Sequence, residues 1–152
     1  MVEEKQEELN GGASQQVEDD EWEPLIVAFL CNWCSYEGAD KAGGSKLDVP
    51  SNVLPIRLMC SSRLDYQYVV RALTSGADGV MILGCHPGDC HYRKGNYHTL
   101  RRQKLFDKLM DGMEVDEERV YLDWVSAGEG QKFSEVTQEM AEKVEELGPF
   151  PR

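Results

Sequence analysis

The chain has 152 residues, 41% hydrophobic and 9% aromatic, which is enough for one compact core and too few for two ordinary domains. The formal net charge of −12 disfavours nucleic-acid binding, because neutralising phosphates needs a strongly basic surface. The sequence has no apolar run of the roughly 18 residues that a membrane span needs. Its charged beginning does not resemble a signal peptide, so the expected compartment is the cytoplasm.

The acidity is concentrated at the start of the chain. Residues 1–23 contain nine acidic residues and one basic residue, Lys5. Such a composition cannot bury enough apolar surface to offset the entropy lost on ordering. We therefore predict that residues 1–23 form a flexible acidic tail and that residues 24–152 form a single domain.

Strands and helices alternate along the predicted domain. Short apolar runs predict four strands: residues 24–30, 53–59, 79–84 and 119–124. Apolar residues at helical spacing predict four helices: residues 35–42, 64–73, 96–113 and 131–147. This alternation predicts an α/β fold, a small doubly wound, flavodoxin-like parallel sheet of about four strands.

Several residues predict the ends and faces of these elements. Pro55 predicts that the second strand lies at an edge of the sheet or that the proline lies at a strand start, because proline cannot donate to a ladder. Ser35 is the predicted N-cap of the first helix and Gly43–Gly44 its end, and Gly76 closes the second helix. Three apolar residues are predicted to share one face of the third helix, with Leu100 close to it: Leu105, Leu109 and Met113.

All five cysteines follow predicted strands. Cys31 and Cys34 follow the first strand, Cys60 follows the second, and Cys85 and Cys90 follow the third. The carboxyl ends of parallel strands meet at one edge of a sheet, where ligand sites of open α/β folds lie. Cysteines that are far apart in the sequence are therefore predicted to converge at this edge.

Clustered cysteines in a reducing compartment usually bind metal or perform redox chemistry. Four thiolates suit either zinc or an iron–sulfur cluster, and the fifth cysteine is spare. Structural zinc sites usually use two close pairs, whereas Cys85 and Cys90 are further apart and Cys60 stands alone, which favours the cluster. The candidate hydrogen-bond donors to sulfur are Ser35 and the backbone near Ser61, Ser62 and Gly95. Residues 93–108 contain six bases and one acid, a charge pattern that could neutralise the cluster or dock an acidic partner.

Other interpretations stay open at this stage. The Cys31-x-x-Cys34 pair is also typical of a thioredoxin-type redox motif, which leaves three cysteines unexplained. His86 and His91 are either ligands, as in Rieske-type sites, or hydrogen-bonding loop residues. A zinc-stabilised interaction module is the alternative to an electron carrier. The sequence has no glycine-rich phosphate loop and no nucleophile–base pair, so no independent active site is expected.

Several stretches of the sequence resemble one known family. They are CNWCSY at residues 31–36 with Gly38-Ala39-Asp40, CSSR at 60–63, residues 79–92 with the string GCHPGDCHY, Gly95-Asn96-Tyr97, and WVSA at 124–127. On these residues the chain resembles the delta (iron–sulfur) subunit of methyl-viologen-reducing hydrogenases, which are associated with heterodisulfide reductase. The resemblance covers roughly residues 24–148 and leaves the acidic tail outside.

The resemblance implies a [2Fe–2S] subunit of an electron-bifurcating complex in methanogenic metabolism. The electron donor would be a hydrogenase or a formate dehydrogenase, and the acceptor the flavin subunit of heterodisulfide reductase. The implied ligands are Cys31, Cys34 and Cys60 with one or both of Cys85 and Cys90, four of the five being expected to bind. Residues 24–152 would then be an iron–sulfur electron-transfer domain.

Overall fold

The computed structural model describes residues 22–151, and four parallel strands form its sheet. The strands are β1 (Ile26–Cys31), β2 (Val53–Leu58), β3 (Gly79–Gly84) and β4 (Val120–Trp124). Their order is β2-β1-β3-β4, and each neighbouring pair is parallel. This is the start of the flavodoxin-like order, so the predicted fold class is confirmed. Residues 1–21 of the predicted tail lie outside the described residues, and the tail boundary stays a prediction.

Helices cover both faces of the sheet. They are α1 (Ser35–Gly44), α2 (Tyr66–Ser75), α3 (Gly95–Gly112) and α4 (Gly130–Leu147), with short 3₁₀ turns at Ser61–Arg63 and Glu117–Arg119. Each α-helix begins and ends within two residues of its predicted bounds. α1 and α4 pack on one face, and α2 and α3 on the other. Among the described residues, no helix is long and apolar enough to cross a membrane.

Strand β3 lies at the centre of two apolar layers. Met81 and Leu83 face the α1/α4 layer, whereas Val80 and Ile82 face the α2/α3 layer. Successive side chains of a strand point to opposite faces, so a strand covered on both sides is apolar throughout. Each fully buried aliphatic side chain stabilises the fold by about 1.5–3 kcal/mol. This explains why residues 79–84 form a continuous apolar run.

Strand β2 lies at the edge of the sheet, as Pro55 predicted. Ile26 N donates to Asn52 O, and Asn32 N donates to Leu58 O. In a parallel ladder every second residue points toward the neighbouring strand, so the even-numbered positions of β2 face β1. Pro55 therefore has its nitrogen on the outer side, where no ladder hydrogen bond is lost.

The predicted N-cap of α1 was wrong. Cys34, not Ser35, occupies the N-cap position, and its side chain makes no cap hydrogen bond. The helix ends at Gly44, as Gly43–Gly44 predicted, and the left-handed residue beyond it is Lys46, with a φ of 54°. Ser35 is unavailable as a cap because its hydroxyl bonds to two strands, as described below. Gly76 does end α2, with a φ of 134°.

The apolar face predicted for α3 is exposed. Leu105, Leu109 and Met113 are 62%, 55% and 60% exposed, while Phe106 and Met110 pack into the core. Apolar spacing identified the helix but not the face that meets the sheet. The inner face of α3 also buries polar side chains, whose hydrogen bonds are satisfied. This face therefore carries fewer apolar residues than a helix packed on a sheet usually does.

The contact between α1 and α4 depends on a glycine. A Cβ atom at Gly130 would lie 2.9 Å from Ala42 N and 3.1 Å from the carbonyl carbon of Lys41, both backbone atoms that cannot move alone. We predict that Gly130→Ala lowers the free energy of unfolding by about 1–3 kcal/mol. Urea denaturation followed by circular dichroism measures this.

The matched control is Gly43→Ala in α1, where nothing lies within 4 Å of the added Cβ. An alanine inside a helix is favoured over glycine by roughly 0.5–1 kcal/mol, so this variant is expected to be as stable as the parent chain or more stable. Equal stability of the two variants would contradict the close helix contact.

Candidate metal centre

The five cysteines converge at the carboxyl edge of the sheet. Cys31 ends β1, Cys34 begins α1, Cys60 precedes the first 3₁₀ turn, and Cys85 and Cys90 lie between β3 and α3. All five are buried free thiols. Buried cysteines in this number, unpaired and from three separate loops, are suited to a metal or an iron–sulfur cluster.

Three of the sulfurs form a compact group. The Sγ atoms of Cys31, Cys34 and Cys85 all lie within 4.8 Å of one another. Cys31 Sγ is 3.7 Å from Cys85 Sγ. Three thiol groups at this spacing can act together as ligands of one soft metal centre.

The other two sulfurs lie against the first residue of α3. A Cβ atom at Gly95 would overlap Cys60 Sγ and lie 3.0 Å from Cys90 Sγ. Ser62 Oγ donates to Cys60 Sγ at 3.2 Å. The charges of Cys90 and Cys31 add to the burial that raises the pKa of Cys60, although the hydrogen bonds from Ser62 lower it. The two groups of sulfurs are therefore electrostatically connected through Cys60 and Cys31.

Without a bound metal, Cys31 is the thiol of the three-sulfur group that ionises most readily, while Cys34 and Cys85 retain their protons. Hydrogen bonds from Cys34 and then Cys85 lower the pKa of Cys31 to about 3. The hydrogen bond with the same Cys31 sulfur raises the pKa of Cys34 and raises that of Cys85 to about 12. Interacting thiols release their protons in sequence. A bound metal replaces the retained protons, so its binding is coupled to proton release.

Backbone donors and helix ends are arranged to stabilise negative charge at the sulfurs. The backbone N–H groups of Trp33 and Ser61 bond to the Cys31 sulfur, and that of His91 bonds to the Cys85 sulfur. The N-terminus of α1 lies at Cys34 and that of α3 at Gly95. A helix N-terminus carries a partial positive charge, so both helices favour an anionic centre.

Ser35 fixes the two central strand ends relative to one another. Its Oγ accepts from Cys31 N at 2.8 Å and donates to Leu83 O at 2.6 Å. This single hydroxyl therefore sets the separation of the loops that carry Cys31, Cys34 and Cys85. The prediction that Ser35 donates to a sulfur was wrong, because the hydroxyl is used by the backbone.

Asn96 is a positioning residue that sequence analysis missed. Its buried side chain donates to Cys85 O at 2.9 Å and to His86 O at 2.7 Å. These bonds fix the backbone where the chain leaves β3. Polar residues are common at the start of helices, so the sequence did not single out Asn96. Its role is visible only in the structure, where the side chain points into the protein.

His86 is engaged by a hydrogen bond with a carboxylate. Its Nε2 lies 2.6 Å from Glu129 Oε2, and the same oxygen accepts from Ser126 N at 2.7 Å. The pair connects the cysteine-bearing loop to the loop after β4. The hydrogen-bonding interpretation of His86 is therefore favoured over a ligand role. Glu129 was not singled out in the sequence, because its partner lies 43 residues away.

His91 belongs to an aromatic rim around the cysteines. Its ring stacks on Trp33 with centroids 3.8 Å apart and an interplanar angle of 8°. Trp33 Nε1 donates to the hydroxyl of Tyr92 at 3.2 Å. Trp33 and Tyr92 are exposed, so the rim presents aromatic surface to solvent beside the cysteine-bearing loops.

Comparison with known proteins agrees with this geometry. Residues 26–148 match the family described as FlpD, methyl-viologen-reducing hydrogenase, delta subunit. The chain belongs to this family. The FlpD match extends over the whole sheet and all five cysteines, and it confirms the resemblance found in the sequence.

Individual relatives of this FlpD-family chain are of two kinds. It is 50% identical over 131 residues to an F420-non-reducing hydrogenase iron-sulfur subunit of Archaeoglobus profundus, covering 86% of this chain and 96% of that protein. It is 45% identical over 128 residues to the vhc hydrogenase iron-sulfur subunit of Methanococcus voltae, covering 84% and 89%. It is also 42% identical over 127 residues to a ferredoxin:CoB-CoM heterodisulfide reductase subunit of Methanosarcina mazei, covering 84% of this chain but 16% of that protein.

A substitution at Gly95 tests whether the sulfurs of Cys60 and Cys90 belong to the metal centre. We predict that Gly95→Ala lowers the iron bound per chain several-fold, because the added methyl group displaces Cys60 Sγ and Cys90 Sγ. Iron and sulfide assays on anaerobically prepared chain measure the loss.

The control is Gly112→Ala at the other end of α3, where nothing lies within 4 Å of the new Cβ. It is expected to bind iron like the parent chain. Full iron content in Gly95→Ala, with an unchanged far-ultraviolet spectrum, would show that Cys60 and Cys90 are not needed.

Proposed function

We propose that this chain is an electron-transfer subunit that holds a [2Fe–2S] cluster at the carboxyl edge of its sheet. It relays electrons from a hydrogenase or formate dehydrogenase module to the flavin subunit of heterodisulfide reductase, in an electron-bifurcating complex of the cytoplasm. The observation that carries this proposal is the convergence of five buried, free cysteines at one edge. The chain works only as part of the oxidoreductase complex.

Four cysteines are the ligands in this proposal. The proximity of their sulfurs supports Cys31, Cys34 and Cys85. The family resemblance implies Cys60 as the fourth ligand, and its buried sulfur lies at the same edge beside Gly95. Cys90 is then the spare cysteine, held beside Cys60 by Gly95.

The names of the relatives support an iron–sulfur centre over zinc, since several are called iron-sulfur subunits of hydrogenases. When bound, a [2Fe–2S] cluster supplies one-electron redox chemistry. The chain's own groups hold and tune that centre. Backbone donors such as Ser61 N and the N-termini of α1 and α3 stabilise negative charge, which raises the reduction potential.

The arrangement of the relatives supports heterodisulfide reductase as the acceptor. In two Methanosarcina proteins named as heterodisulfide reductase subunits, the part similar to this chain is 16% of a longer polypeptide. In the hydrogenase relatives it is nearly the whole protein. A domain that occurs both fused within a reductase polypeptide and as a separate hydrogenase component is suited to work between them.

Cysteine variants test the relay and the ligand set together. We predict that Cys31→Ser abolishes hydrogen-dependent reduction of the reductase flavin in the assembled complex, because a central ligand is lost. Cys90→Ser, a matched change at the proposed spare position, retains most of the rate. Stopped-flow absorbance at the flavin bands measures both. Full activity of Cys31→Ser, Cys34→Ser and Cys60→Ser would rule out the relay.

The second candidate function is a zinc-stabilised interaction module, which the compact three-sulfur group also fits. In that case the chain holds other subunits together without carrying electrons. Cys31→Ser would then weaken assembly of the complex but leave the electron-transfer rate of the assembled fraction unchanged. The rate per assembled complex therefore distinguishes the two functions.

A further inference from the structure

The outer face of α3 carries an uncovered apolar stripe. Leu105, Leu109 and Met113 follow one another at intervals of four residues and are all more than half exposed. Residues four apart lie on the same side of a helix. Large apolar side chains that cluster at the surface usually mark an interaction site, and nothing within residues 22–151 covers these three.

The stripe borders an open groove. Leu105 and Leu109 line it from α3 and Tyr68 from α2, with Phe106 at the side of the core. The groove has a volume of about 640 Å³, which is room for one or two large side chains of another protein. Interfaces are usually anchored by such side chains inserted into pockets.

The charges beside the stripe are mainly positive around Leu105, whereas Asp111 in the last turn of α3 is an exposed acid. Arg101, Lys104 and Lys108 are exposed on the adjacent side of α3. Within residues 22–151, neither lysine forms an ion pair. The helix on the opposite face of the sheet, α4, exposes carboxylates instead, among them Glu142 and Glu146. The part of the stripe around Leu105 is therefore flanked mainly by bases and fits an acidic surface.

The stripe and the cysteine edge are connected by the same helix. Gly95, the first residue of α3, contacts the sulfurs of Cys60 and Cys90, and exposed Tyr97 follows in the first turn. α3 has 18 residues and is about 27 Å long and 10 Å wide, whereas a stable interface buries about 800 Å² per partner. A protein seated on α3 must therefore also cover neighbouring surface, and the aromatic rim is the apolar surface at its cysteine end.

We propose that the outer face of α3 docks an acidic protein partner that exchanges electrons with the cysteine centre. The inference rests on the proposed function and names the surface through which it operates. Leu105 and Leu109 form the apolar centre of the contact, and the basic side chains form its rim. The partner presents carboxylates around an apolar patch.

Matched charge reversals test the docking surface. The binding partner in the assay is a purified flavin subunit of heterodisulfide reductase, and the full chain is loaded with iron under anaerobic conditions. Lys104→Glu with Lys108→Glu is expected to raise the Kd about tenfold or more in about 50 mM salt, and less in 0.5 M salt, where charges are screened. Glu142→Lys with Glu146→Lys, the same spacing on α4, is expected not to raise it.

A second pair of variants tests the apolar centre. Leu105→Gln with Leu109→Gln is expected to raise the Kd about tenfold, and glutamine keeps the helix propensity of leucine. The control is Leu54→Gln with Ile56→Gln, two exposed apolar residues of β2, which is expected to leave the Kd within about twofold. Iron content and the reduced spectrum of each variant show that the centre is intact.

The possible outcomes distinguish an error in the proposed docking surface from an error in the proposed function. If the parent chain binds and reduces the reductase and the α3 variants bind equally well, the surface is wrong and the function stands. If the parent chain holds no iron or passes no electrons, both are overturned.

The proposed docking surface would also be overturned if either of two other occupants covered the outer face of α3. If the chain's own acidic residues cover it, changing the nine acids of residues 1–23 to amides tightens reductase binding, and the α3 reversal does not weaken it. If a second copy covers it, sedimentation shows a dimer that Leu105→Gln with Leu109→Gln dissociates, at unchanged reductase affinity.

Discussion

The burial of five thiol groups in one small volume is the constraint on which the rest of the structure depends. Parallel strands bring their carboxyl ends to one edge, and the Cys31, Cys34 and Cys85 sulfurs lie within 4.8 Å of one another there. Such a group is stable only if its backbone is fixed and its charge is compensated. Ser35 ties the ends of β1 and β3 together, and Asn96 holds the backbone at Cys85 and His86.

The same arrangement divides the molecule into sides with different roles. The cysteine edge concentrates the helix N-termini and backbone donors that favour an anionic centre. The α2/α3 side carries basic and apolar surface, whereas α4 exposes carboxylates. An electron carrier needs a centre close to the surface and a surface that orients its partner. Here the first residue of α3, Gly95, lies against two of the sulfurs, and the C-terminal half of the same helix carries the exposed stripe.

Most of the fold could be predicted from the sequence because its signals are local. Apolar runs identified all four strands, and Pro55 was consistent with the edge position of β2. The position of the cysteines directly after predicted strands indicated that they meet at one edge of the sheet. The remaining features depend on contacts between distant segments. The exposed face of α3 follows from how that helix meets the sheet, and the bond between His86 and Glu129 joins residues 43 positions apart. Neither leaves a periodic pattern in the sequence.

The central claim is that the cysteine edge holds a two-iron cluster. The most direct test is an assay of iron, sulfide and zinc on the full chain purified without exposure to air, combined with low-temperature electron paramagnetic resonance before and after reduction. About two irons and two sulfides per chain are expected, with a rhombic signal that appears on reduction. A colourless chain with about one zinc and no signal would contradict the claim.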